Sequence, residues 1–368
     1  MIKIAEPCIT EKDMLSVVTC LKENQLSGRS KVCTEFEDEF ARQFHTKHAI
    51  AVNSGTSALF LAMKALGIGE GDEVIVPAFG FIAIPNAVKH VGATPIFVDV
   101  EEDTFNINPL RVSEAITSKT KAIIAVHTYG QPCDMDKLMH LGVPVIEDAA
   151  EAHGAKYKDR TCGSIGDISC FSFFANKTIT TGEGGMVTTN NTLLAKEIRL
   201  LKDQYNGDIR YKHDKVGYGM SLGAMQCALG LSQLSQLSDF VGRKRRMAEI
   251  YTRELKDIVQ VQLPYDRSHG GKHSYWMYAI KATGELKEHL ESVGIEVRPG
   301  FFPLNLQPVY SDGSKFPVAE ELYEKIVCLP MNLRMSEQDQ YFVINKIKEY
   351  YGKHSHTLST DYPYEQTA

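Results

Sequence analysis

The chain has 368 residues, 43% of them hydrophobic and 23% charged. That is close to the globular average and excludes a disordered, collagenous or coiled-coil chain, and the length suggests two or three domain-equivalents. Forty Lys and Arg against 46 Asp and Glu leave a net charge of −6, too mild a balance to favour nucleic acid or an anionic membrane. No apolar run nears the roughly 18 residues of a membrane span. The N-terminus MIKIAEPCITEKDM lacks the apolar core of a secretory signal. Eight scattered cysteines without a C-x-x-C suggest free thiols in a reducing compartment, with no zinc site. The expectation is a cytoplasmic protein without a metal.

In chain order, HAIAV (48–52) reads as a strand and GTSALFLAMKALGIG as a helix closed by glycine. DEVIVPAF is a strand followed by the helical FIAIPNAVKHVG; TPIFVDV, KAIIAVHTYG and VPVIEDAA follow, separated by helical or loop sequence. This βαβ alternation predicts a mostly parallel sheet covered by helices, with ligands beyond the carboxyl ends of its strands. From Leu222 the pattern becomes long helical sequence, GAMQCALGLSQLSQLSDFVGRKRRMAEIYTRELKDI. A smaller α/β region follows, with YWMYAIKA as a strand and EELYEKIV and EQDQYFVINKIKEYYG as helices. The spacing predicts a large domain over 1–240, a small one over 241–352 and a flexible polar tail over 353–368.

Three runs carry chemistry. Asn53-Ser54-Gly55-Thr56-Ser57 follows a strand and opens a helix, a place where backbone N–H groups and hydroxyls hold phosphate; taken alone, such a pentapeptide is more often an ordinary N-cap. VPVIEDAAEAHGA ends an apolar strand in Glu147-Asp148, with Glu151 and His153 beyond. An acid there needs a cationic partner, either a salt bridge or the protonated ring nitrogen of a cofactor. His153 reads as structural. In GSIGDISCFSFFANKTITTGEGGMVTT, Lys177 lies between an apolar strand and a glycine-dense loop, which suits a desolvated amine able to form a Schiff base. Ser172 is placed to share a phosphate with Thr56 and Ser57, and Phe81 could stack on a cofactor ring or pack in the core. A phosphate cradle, an acid and an imine-forming lysine make up the kit of a pyridoxal-phosphate enzyme. No G-x-G-x-x-G follows a strand, so a nicotinamide fingerprint is absent.

NSGTSAL, EDAAEAHGA and FSFFANKTITTGEGGMV resemble the sugar-nucleotide aminotransferases named after DegT and StrS, a similarity that runs from the first residues to about residue 350. The resemblance implies a fold like that of aspartate aminotransferase. It also implies pyridoxal 5'-phosphate as cofactor, L-glutamate as donor and a homodimer whose active sites are completed across the subunit interface. By the same resemblance Lys177 is catalytic, bonding to the cofactor and moving protons, while Asp148 keeps the pyridine nitrogen protonated. Glu151 lies near the ring hydroxyl, Phe81 stacks on the ring, and Gly55, Thr56 and Ser172 hold the phosphate. Members that dehydrate at C3 carry His in place of this lysine, so Lys177 implies amino transfer.

Within that family the Lys177 run, HTYGQPCDMD, HSYWMYAI and RPGFFPLNLQPVY are most similar to the perosamine-forming branch, which aminates C4 of GDP-4-keto-6-deoxymannose. Three positions depart from the pattern. Gly217-Tyr218-Gly219-Met220-Ser221 stands where relatives have Asn-Tyr-Arg-Met after Gly-Tyr, whose Asn reaches the neighbouring subunit's phosphate. Ala175 replaces a Gly, and Asn305 replaces a His where relatives build the substrate pocket. Arg298, Tyr310, His213 and Asn305 are the candidate substrate residues. The alternatives are another nucleotide keto sugar, a smaller keto-phosphate or cyclitol ketone, or a non-catalytic cofactor-binding sensor.

Overall fold

The computed structural model describes residues 1–207, 209, 211–265 and 270–357. Its larger sheet has seven strands. From one edge they are His48–Val52, Gly185–Thr189, Ile168–Ser172, Val145–Asp148, Thr120–Val126, Glu73–Pro77 and Thr94–Val98. Gly185–Thr189 pairs antiparallel with both of its neighbours, and the remaining pairings are parallel. The expected helices fall at Gly55–Ala65 and Ala83–His90. Alternation along the strands divides the core between the two sheet faces. Ile123, Ala125 and Phe171 join one cluster, and Ala122, Ile124 and Cys170 the other. Phe36, Phe40 and Phe44 recur at i, i+4 on the helix Lys31–Phe44 and meet Phe171 and Phe173 edge-on or tilted on the first face.

The long helical stretch after Leu222 is two helices, Ala224–Leu234 and Leu237–Leu255. Side chains cause the break. The Ser232 carbonyl accepts Ser235 Oγ (2.6 Å) and Gln236 Nε2 (3.2 Å), while the Gln236 amide turns to Gln233 O; such local bonds compete with the helical ladder. The second helix runs through residue 240, where sequence suggests a domain boundary. It gives Leu237, Phe240 and Val241 to the large-sheet core and Ala248, Tyr251 and Leu255 to a separate one. Between those sets lies a basic run, and such runs are usually solvated. Here Arg243 donates to Leu333 O, Lys244 to Trp276 O and Met331 O, and Arg245 to His273 O and Gly154 O.

The second core is covered by a four-stranded antiparallel sheet in the order Val261–Gln262, Tyr278–Ala282, Ile326–Leu329, Arg298–Pro299. The helix expected over EELYEKIV ends at Lys325, and its β-branched Ile326-Val327 open a strand instead. Of the tail expected from residue 353, residues 353–357 continue the helix Glu337–Thr357, and the rest lies outside the described residues. All eight cysteines are free. Among the described residues no helix is long and apolar enough to cross a membrane.

Candidate active site

The carboxyl ends of the parallel strands open onto a cavity of about 390 Å³. Gly55, Thr56, Phe81, Asp148, Glu151, Ser172, Lys177 and Arg298 all line it. Residues far apart in sequence converge there because successive parallel strands finish on the same side of the sheet.

One end of the cavity has the makings of a phosphate site. Ser54 caps the eleven-residue helix Gly55–Ala65, its Oγ accepting from Ser57 N (3.0 Å) and donating to Ser57 Oγ (2.9 Å). The pentapeptide is therefore both an N-cap and a cavity wall. Ser57, expected to reach the phosphate, is held in the cap and does not line the cavity. Gly55 and Thr56 remain at the positive end of the helix, which favours an anion. A Cβ on Gly55 would stand 2.8 Å from Ser172 Cβ, so only glycine lets the helix start this close to the strand end.

The other end holds buried acids. Glu147 points away from the cavity and is fully enclosed. It accepts from Gly163 N (2.7 Å), Ile165 N and Gly166 N (both 2.6 Å) and Ser169 Oγ (3.0 Å). Cys133 N–H donates to His127 Nδ1 (3.0 Å), which places the ring proton on Nε2, facing Glu147 at 2.9 Å. Burial opposes ionisation of Glu147, but the bonds from His127 and the backbone outweigh it and hold the carboxyl below its ordinary range. His127, Glu147 and Cys162 lie close enough to share a metal ion. The carboxylate's oxygens are already filled by these five donors, so the cluster is an anchor for the strand end.

Asp148, next along the strand, faces the cavity. Its Oδ1 accepts from Ala150 N at 3.0 Å. Burial pushes its carboxyl above the ordinary range, opposed by that N–H and by the Lys177 charge. An acid so placed is stabilised by a cation entering the cavity, and a protonated pyridine nitrogen fits. Glu151 is also buried and raised by burial, with Lys177 and the Tyr129 N–H opposing. Its Oε2 accepts from Tyr129 N at 2.8 Å, and its Oε1 lies 3.6 Å from Lys177 Nζ. Tyr129 makes that bond from the left-handed region, at φ 56°, a conformation a tyrosine adopts only where its surroundings impose it. Lys177 Nζ also lies over the Trp276 ring, 4.1 Å from its centroid. The acid, the amine and the helix-end cradle thus have the chemistry that pyridoxal phosphate requires.

Phe81 is 59% exposed at the rim, which removes core packing as its explanation. The Arg298 guanidinium makes no hydrogen bond or ion pair among the described residues and is available to an anion. The other three candidate substrate residues lie outside the cavity. Asn305 is buried, its Nδ2 donating to Ser314 O and Glu320 Oε1 (both 3.0 Å). Tyr310 Oη bonds Asn86 Oδ1 at 2.6 Å, and the exposed His213 pairs through Nδ1 with Gln204 O. Sequence reasoning missed Trp276, Glu183, Phe174 and Phe301 as cavity residues. Glu183 sits inside the TTGEGG loop already singled out; Trp276 and Phe301 come from beyond the helix Leu237–Leu255 and carry no local signal of the contact. Gly217–Ser221 runs beside the phosphate end, with Met220 O accepting from Asn53 N (2.9 Å) and Ser221 bridging Val52.

Nearly the whole chain resembles known proteins. Residues 7–348 match the DegT/DnrJ/EryC1/StrS aminotransferase family. GDP-perosamine synthase of Escherichia coli O157:H7 is 43% identical over 95% of this chain and 99% of its own. That of Vibrio cholerae is 37% identical over 96% and 100%. The crystal structure of Streptomyces venezuelae DesV, solved with a ketimine intermediate, superposes with a TM-score of 0.88 at 33% identity, covering 92% of this chain and 94% of DesV. The chain belongs to the DegT/DnrJ/EryC1/StrS aminotransferase family and is a pyridoxal-phosphate-dependent aminotransferase.

Proposed function

We propose that the enzyme moves the amino group of L-glutamate to C4 of a nucleotide-linked 4-keto-6-deoxy hexose, GDP-4-keto-6-deoxymannose, to give GDP-perosamine. The observation that carries this reading is the near full-length likeness to GDP-perosamine synthases in a chain whose cavity holds Lys177 beside two buried acids. The bound cofactor supplies an electron sink. In this reading Gly55, Thr56 and Ser172 hold its phosphate, Asp148 keeps its ring nitrogen protonated, and Phe81 covers its face. Lys177 would hold the cofactor covalently, and its amine, once free, would supply the proton carrier in both halves of a ping-pong cycle. Glu151, at 3.6 Å, keeps that amine inside the cavity.

The departure at Asn305 does not argue for a smaller acceptor, because that side chain is turned into Ser314 and Glu320 and shapes no part of the cavity wall. Exposed Phe81 and Phe174 at the cavity rim support a working homodimer that covers them. The test is mass spectrometry of products formed from L-glutamate and a panel of acceptors. The panel holds 4-keto-6-deoxy sugars on GDP, dTDP and UDP, together with small keto-phosphates and cyclitol ketones. An amine on the GDP sugar is expected. An amine only on a small acceptor would replace this reading.

A further inference from the structure

We propose that Trp276 is the positioning residue for Lys177, seating its amine against the indole face whenever that amine is not bonded to the cofactor. The inference rests on reading Lys177 as the residue that takes the cofactor. One side chain meets both the lysine's amine and the backbone just before it. The indole centroid lies 4.1 Å from Nζ, and Nε1–H donates to the carbonyl of Asn176, the preceding residue, at 2.8 Å. An ammonium over an indole face is attracted by the ring quadrupole, and the hydrogen bond fixes the backbone from which the four-carbon stem departs. A free lysine otherwise spreads over many rotamers.

Trp276 is itself immobilised. It is 5% exposed, its carbonyl accepts Lys244 Nζ at 3.2 Å, and Tyr275 before it is held left-handed at φ 52°. Its ring stacks on Tyr129, centroids 6.3 Å apart, and Tyr129 stacks in turn on Phe301 at 5.3 Å. Tyr129 is also the residue whose N–H fixes Glu151. The two groups that flank the amine, the indole and the Glu151 carboxylate, are therefore set by one stack of aromatic rings, with Tyr129 of the large-sheet region between Trp276 and Phe301.

The test follows covalent capture, not turnover. Full-length apoprotein is mixed with pyridoxal phosphate, the bond is fixed with borohydride at timed intervals, and the fraction of modified Lys177 is read by mass spectrometry. Trp276→Leu removes both contacts and is expected to slow capture about 10- to 100-fold, whereas Trp276→Phe keeps a ring face and stays within about tenfold of wild type. Equal rates in all three proteins overturn the proposal, as does equal slowing in both variants. Should the Leu variant fail to fold, the chain's single tryptophan carries the test. Apoprotein emission is expected to change when Lys177→Met takes the amine off the ring, and superimposable spectra overturn the proposal. Wild-type capture at a lysine other than 177 would remove the underlying reading instead, so the two failures are distinguishable.

Discussion

Glu147 and Asp148 are adjacent carboxyls with opposite surroundings, because a strand turns successive side chains to opposite faces. The first is saturated by donors and the second waits for a cation. Neutral isosteres should separate these duties. Asp148→Asn keeps an oxygen for the Ala150 N–H, and is expected to leave stability within about 1 kcal/mol while lowering kcat at least about a hundredfold. Glu147→Gln turns an amide donor against donors already there, and is expected to cost about 2–5 kcal/mol of stability. Urea unfolding and single-turnover kinetics on both variants check the pair; loss of stability in Asp148→Asn without loss of turnover would contradict it. At this scale the sequence was informative where chemistry is local. Lys177, Asp148 and the Gly55-Thr56 cradle each sit at a strand end flagged by neighbouring residues. Trp276 bonds Asn176 across 100 residues, and no pattern within a window reveals such a contact. Asn305 shows the reverse: a position marked by family likeness whose side chain the fold turns to structural partners.

Among the elements, the helix Leu237–Leu255 joins the two cores and makes its bonds to both through Arg243, Lys244 and Arg245. Periodicity revealed the helical sequence but not the break at Ser235-Gln236, which arises from side-chain bonds to one carbonyl, nor the inward turn of a basic run. Burial alone pushes the Lys244 amine down to about 7, against about 10.4 in an unfolded chain. Between those values the unfolded chain binds more protons, so stability rises with pH through that window, and below pH 7 the full cost of burying the charge is present. The unfolding free energy of the wild type minus that of Lys244→Met is therefore expected to grow by about 1.4 kcal/mol per pH unit between pH 7 and 9. A gap independent of pH would show that Lys244 is not buried as described.

For the molecule as a whole, βαβ alternation made the parallel sheet and the location of the site legible, because parallel strands must finish on one side. It did not reveal that Gly185–Thr189 runs antiparallel within that sheet, since direction leaves no mark on a short apolar strand. Nor did it show that Trp276 and Phe301, from beyond the helix Leu237–Leu255, join the cavity wall. The site is thus assembled from residues far apart in the chain, with the Lys177 amine lying on the Trp276 indole. The most direct test of amino transfer uses ¹⁵N-labelled L-glutamate and GDP-4-keto-6-deoxymannose, with nitrogen at C4 of the sugar followed by mass spectrometry and NMR. The label is expected on the sugar with the wild type and on none of it with Lys177→Ala. Label transfer at the normal rate without Lys177, or an unlabelled sugar from the wild type, would contradict the account.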